Sequence, residues 1–149
     1  MECSLCQRIK LSREGGYSHL IHEFKHSYLY LGEHQYYPGY CVLVTKQHFK
    51  ELTDIPRDIR LEFFDEMTLA SKAIENVMQP TKMNMCSLGN VVPHMHWHYF
   101  PRFSSDPNFT NPPWLQMHQF DSAKINANDA RPRINQIREA IINLTNVRV

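Results

Sequence analysis

The nine residues P-H-M-H-W-H-Y-F-P, numbers 93 to 101, constrain this chain more than any others. Histidines stand at every second position, His94, His96 and His98, and Met95, Trp97 and Tyr99 alternate with them. Successive side chains on a strand point to opposite faces, so the pattern predicts a strand with an imidazole face and an apolar face. The apolar face reads as core. The imidazole face is then a site or a solvated surface, and three histidines in register favour a site. Three chemistries suit it. One imidazole can be a nucleophile with its neighbours as proton donors and orienters. Two histidines can hold a catalytic metal, or the face can be structural, whether as a polar surface or as ligands of a non-catalytic zinc.

Patterning elsewhere predicts an α+β chain. Segments 19 to 24, 27 to 32 and 41 to 46 read as strands, separated by a short turn and by the punctuation Y-Y-P-G-Y. From 56 to 79 the period changes, with Ile59, Phe63, Met67, Ala70, Ile74 and Val77 at helical spacing between Pro56 and Pro80. Two more strands, 82 to 88 and 94 to 101, follow across Gly89-Asn90-Val91-Val92-Pro93. Residues 104 to 132, rich in Pro, Asn, Asp and Ser, read as an irregular arm. Ile134, Ile137, Ile141 and Leu144 then mark a C-terminal helix. The expectation is one domain over 1 to 149: an antiparallel sheet with one long central helix, then the arm and the last helix.

Composition narrows the setting. The chain has 149 residues, 42% apolar and 21% charged, a globular balance long enough to bury a core. A net charge of +1 supplies no global basic field, which argues against bulk nucleic-acid binding. No stretch approaches the roughly 20 apolar residues of a membrane span, and the opening M-E-C-S-L-C-Q-R-I-K has no apolar signal region. A cytoplasmic, reducing setting is therefore expected, where four cysteines are thiols or metal ligands rather than disulfides. Cys41 and Cys86 sit in apolar runs and read as packed thiols. Cys3 and Cys6 form C-x-x-C, half of a zinc site or a pair of thiols at a frayed terminus.

H-M-H-W-H-Y-F fits the signature His-φ-His-φ-His-φ-φ, with φ apolar, and resembles the histidine-triad nucleotide hydrolases and transferases. Val42-Leu43-Val44-Thr45-Lys46-Gln47-His48 is similar to that family's apolar strand, basic residue and histidine, and the helix from Pro56 falls where the family has its central helix. The likeness covers about residues 1 to 103. D-P-N-F-T-N-P-P-W, 106 to 114, resembles a subgroup with D-P-x-F-x-x-P-x-W after the histidine strand.

The resemblance implies that His96 attacks the α-phosphorus of a nucleotide and that water hydrolyses the nucleotidyl-imidazole. A backbone carbonyl, that of His94, would hold the other ring nitrogen protonated. His98, about 7 Å along the strand, would contact the phosphate and protonate the leaving group, giving a bell-shaped pH dependence. Asn84 corresponds to a family Asn near phosphate and ribose. Many members carry Gly-Gln-Ser where this chain has Gly89-Asn90-Val91, so Asn90 replaces the Gln amide and Val91 offers no hydroxyl. The ribose-binding Asp is absent; by count Gly32 or Glu33 takes its place, and Glu33 has the carboxylate. In the C-x-x-C subset, Cys3, Cys6, His48 and His94 would hold one structural zinc per chain. The family also implies a homodimer. The expected activity is hydrolysis of dinucleoside polyphosphates, such as diadenosine tetraphosphate, or of adenylyl phosphoramidates. The alternatives are a nucleotide-binding adaptor with incidental hydrolysis and a nucleotidyltransferase.

Overall fold

A computed structural model describes residues 2–147 and gives an α+β architecture. Five strands, β1 (Leu20–Glu23), β2 (Ser27–Leu31), β3 (Cys41–Thr45), β4 (Lys82–Cys86) and β5 (His96–Arg102), form one antiparallel sheet in the order β1-β2-β3-β5-β4. The histidine strand is therefore interior, with Val42 opposite His98 and Val44 opposite His96 on one side. On its other side, Cys86 lies opposite His98 and Asn84 opposite Phe100. Strand β5 starts two residues later than the alternation predicts, and His94 lies in the bend before it. That bend is still pinned, because Met95 N–H donates to the Phe49 carbonyl at 2.7 Å.

One face of the sheet is covered by α2 (Arg57–Met78) and α3 (Ala127–Val147). Phe63, Met67, Ala70 and Ile74 of α2, with Ile134, Ile137 and Ile141 of α3, pack there with Leu29, Leu43, Met95 and Tyr99, and Trp97 packs against them. The apolar side of the histidine strand is core, as its alternation requires. Helix α2 ends at Gln79, which adopts a left-handed conformation (φ 50°) ahead of Pro80.

The other face carries the histidines and is covered by two elements that local pattern did not reveal. The first is helix α1 (Ser4–Arg13), which the C-x-x-C reading left as a terminus. Leu5 and Ile9, one turn apart, are buried against Tyr28, Tyr30, Val42 and Val44. The second is the arm, which is not wholly irregular: Pro113–Gln119 and Asp121–Ala123 are 3-10 turns. Helix α3 also begins before Pro132, at Ala127. Asn126 caps it by accepting from the Asp129 N–H at 3.0 Å. The proline is tolerated because the carbonyl it deprives, that of Asn128, lies on an exposed turn.

Arg102, at the end of β5, fastens the arm. Its side chain is 1% exposed and its guanidinium donates to Asp106 Oδ2 (3.1 Å), Asn84 Oδ1 (3.1 Å), and the carbonyls of Asn111 (3.0 Å) and Asn108 (3.3 Å). It also lies 4.7 Å from the Tyr37 ring centroid. Removing it leaves a carboxylate and several acceptors without their donor. Arg102→Ala is expected to cost about 3–5 kcal/mol in urea unfolding, and Arg102→Lys to recover little, since an ammonium lacks the planar fork.

Candidate active site

His96 is 8% exposed and its ring has one fixed orientation. Its Nδ1 lies 2.6 Å from the His94 carbonyl. A carbonyl only accepts, so Nδ1 carries the proton and Nε2 carries the lone pair. The Ser87 hydroxyl donates to the His96 carbonyl at 2.7 Å and steadies the strand at this residue. An imidazole held in this tautomer is a nucleophile with a defined direction of attack.

His98 packs beside it, ring centroids 4.8 Å apart and nearly perpendicular. Its Nδ1 lies 2.7 Å from the Tyr40 hydroxyl. Burial pushes the Tyr40 phenol well above its usual range, so the hydroxyl keeps its proton and can donate to Nδ1. His98 then presents Nε2–H on its other side. Burial, helped by the charges of His96 and His34, lowers His98 to about 3. At neutral pH it is a neutral hydrogen-bond donor and not an imidazolium. The alkaline limb of the expected bell-shaped profile therefore loses its source.

Tyr40 was read from sequence only as turn punctuation. Its ring lies parallel to those of Phe100 (4.5 Å), His34 (4.5 Å) and His98 (5.9 Å), and Phe120 of the arm stacks on His34 at 4.0 Å. Gly32 makes room for this layer, because a Cβ there would come within 2.1 Å of the Tyr40 ring. Gly32 thus serves by lacking a side chain. Trp114 closes the other side of His98, edge to face at 4.7 Å, with its indole N–H donating to Cys86 Sγ at 3.2 Å. A cavity of about 300 Å³ opens between this wall and the β4–β5 loop, reaching both His96 and His98.

Asn90 lines that cavity, as its place in the loop suggested. Asn84 and Glu33 do not line it. The Asn84 amide oxygen is held by Arg102. Glu33 accepts from Tyr17 (2.7 Å) and Arg8 (2.9 Å), which hold its carboxyl below the usual range.

Cys3, Cys6, His48 and His94 meet where the start of α1 approaches the segment after β3 and the bend before β5, and their four ligand atoms lie within 4.8 Å of one another. Cys6 Sγ is 3.2 Å from His48 Nδ1 and 3.5 Å from His94 Nδ1, and Cys3 Sγ is 3.5 Å from His94 Nδ1. Tetrahedral zinc bonded to nitrogen and sulfur would set such atoms about 3.3–3.8 Å apart. His94 Nε2 lies 2.8 Å from the Thr45 carbonyl, which fixes its proton there and leaves the Nδ1 lone pair facing the thiols. The donor set fits zinc, with all four positions filled by protein. All four cysteines are free of disulfides.

The profile of the HIT domain family matches residues 14–105, more than half of the chain. The chain belongs to that family. A search among curated proteins returned no match. Solved structures of histidine triad proteins share its fold. A hypothetical histidine triad nucleotide-binding protein from Sulfolobus tokodaii superposes with TM-score 0.72 at 19% identity, covering 93% of each chain. A Zn-bound histidine triad family protein from Mycobacterium smegmatis gives 0.69 at 18% identity, over 99% of this chain and 98% of that one. The diadenosine triphosphate hydrolase of Plasmodium falciparum gives 0.60 at 17% identity, over 85% and 78%. Among the described residues, no helix is long and apolar enough to cross a membrane.

The neutral imidazoles make this histidine triad site sensitive to acid. His98 at about 3 and His34 at about 4 both sit below an unfolded histidine, so the unfolded chain binds protons first. Stability is expected to be flat above about pH 6.5 and to fall as pH drops towards 4. Nitrogen-15 NMR should show His98 neutral and protonated on Nε2 from pH 8 to 5. An imidazolium signal for His98 at pH 6 would contradict the assignment.

Proposed function

We propose that this HIT domain protein is a nucleotide phosphohydrolase that cleaves at the α-phosphate through a covalent nucleotidyl-His96 intermediate. The observation that carries the reading is the bond from His96 Nδ1–H to the His94 carbonyl, which leaves Nε2 free beside an open cavity. The substrates are dinucleoside polyphosphates, such as diadenosine tetraphosphate, or adenylyl phosphoramidates. The hydrolase named for the Plasmodium neighbour supports the first class as one to test.

His96 Nε2 attacks the α-phosphorus and the bond to the leaving group breaks. His98 Nε2–H donates a hydrogen bond to the phosphate or the departing atom, and the Asn90 amide donates to a phosphate oxygen. Water then displaces His96 and releases the nucleoside monophosphate. Asn84 and Glu33 do not line the cavity and each holds an arginine, so we place them behind the site. Cys3, Cys6, His48 and His94 hold a structural zinc, which when bound ties α1 to the strand that carries the nucleophile. The protein works as a cytoplasmic homodimer.

His96→Ala is expected to lower AMP release by more than about a thousandfold while nucleotide binding survives, and quenched wild-type reactions should carry nucleotide on His96. Activity close to wild type in that variant would refute the covalent route. Because His98 is already neutral, kcat/KM should not decline between pH 6 and 8. Tyr40→Phe removes the hydrogen bond that sets the His98 tautomer; a loss of about 1 kcal/mol corresponds to roughly fivefold in kcat. Protein purified without a histidine tag should contain about one zinc per chain, and Cys6→Ser should lose it. Chelation should lower the melting temperature by more than it lowers activity measured below the apo protein's unfolding range.

A further inference from the structure

Among the four cysteines, Cys3 and Cys6 alone are placed to meet. Cys41 is 0% exposed in the core beside Leu43 and Tyr99, and Cys86 lies on the histidine face, where it accepts from the Trp114 indole. Cys3 is the N-cap of α1 and Cys6 stands in its first turn. Residues at that spacing set their Cα atoms roughly 5 Å apart, inside the roughly 4.4–6.8 Å that a disulfide spans. Both Sγ atoms converge on His94 Nδ1, at 3.5 Å each. The cluster has an open and a closed side: the two cysteines are half-buried and His48 is exposed, whereas His94 is 1% exposed. A small oxidant thus reaches the sulfurs from solvent without passing the core. Little else holds the start of α1. Its N-cap makes no side-chain cap hydrogen bond, and only Leu5, Ile9 and Ser12 of the helix are buried.

Resting on the zinc ligands and the His96 nucleophile proposed above, we infer that Cys3 and Cys6 are a peroxide-sensitive pair whose oxidation to a disulfide frees the metal and loosens His96. One thiolate attacks a peroxide oxygen, the O–O bond breaks, and a sulfenic acid and hydroxide form. The second thiolate attacks the sulfenic sulfur, the S–S bond forms, and a second hydroxide leaves. Two solvent protons turn the hydroxides into water. The sulfurs together lose two electrons and the peroxide gains them. His48 and His94 are then only half of the ligand set that zinc takes, so the metal departs. His94 Nδ1 loses its partner and the ring keeps only its bond to the Thr45 carbonyl. The ring is then free to turn, and the His94 carbonyl that holds His96 Nδ1–H moves with it. A dithiol reductant with zinc reverses the change by thiol–disulfide exchange.

The test treats the zinc-loaded, untagged wild type with hydrogen peroxide. It follows metal release to a chromophoric chelator, peptide masses without reduction, amide hydrogen exchange and AMP release. One zinc should appear per disulfide, and the peptide holding Cys3 and Cys6 should lose two hydrogens while Cys41 and Cys86 stay thiols. Amides of α1 should exchange about tenfold faster while those of α2 keep their protection. The kcat for AMP release should fall roughly tenfold with KM near its starting value, and dithiothreitol with zinc should restore all four readouts. Zinc that stays bound while peroxide oxidises Cys86 first overturns the inference. So does a disulfide form whose α1 exchange or kcat matches that of the reduced protein. A protein that takes up no zinc overturns the metal site and this inference together. If the reduced protein releases no AMP, the hydrolase falls, and zinc release with α1 exchange still upholds or overturns the cysteine pair.

Discussion

His94 joins three parts of the molecule through three different atoms. Its carbonyl accepts from His96 and selects the tautomer that leaves Nε2 reactive. Its Nε2–H donates to Thr45 at the end of β3, and its Nδ1 faces Cys3 and Cys6 on α1. A ring so held cannot rotate without losing one partner, and the carbonyl on the same residue moves with it. The cysteine–histidine cluster and His96, the proposed nucleophile, are therefore coupled through one peptide unit. This explains why the first histidine of the alternation sits in the bend before β5, where backbone and side chain serve different neighbours.

Around the second and third histidines, the protein replaces water with aromatic rings. The layer Phe120–His34–Tyr40–Phe100 shields His98 and keeps it neutral. The ring nitrogens of the two site histidines have partners, Tyr40 for His98 and the His94 carbonyl for His96, whereas His34 Nδ1 inside the layer has none. The arm that completes the layer is held by a fully buried guanidinium. A buried charge is weak as a source of net stability, yet its fork of fixed donors sets how residues 106 to 111 of the arm lie against β4. Here that geometry carries Trp114 onto His98.

Much of the fold was legible because periodicity records which faces are buried. The central helix, the five strands and the Ile134-Ile137-Ile141 stripe each announce a face in the order of their apolar residues. Helix α1 was harder, since it buries only Leu5, Ile9 and Ser12, and the two cysteines drew the eye to chemistry. Its Leu5–Ile9 spacing was the available signal. The start of α3 was masked by Pro132, although Asn126 and Asp129 spell a capping pair.

The alternation at 93 to 101 by itself determined which histidines share a face and which side chains join the core, because strand geometry allows only one outcome. C-x-x-C likewise determined that two thiolates could act together. Only the tertiary structure decided what each histidine meets. It brings His48 and His94 to the cysteines from segments far apart in the chain, and it gives Asn84 and Glu33 to arginines. It sets Tyr40 and Trp114 on either side of His98. Those contacts depend on the packing of α1 and the arm over the sheet, and a local pattern carries no record of a neighbour supplied from elsewhere in the chain.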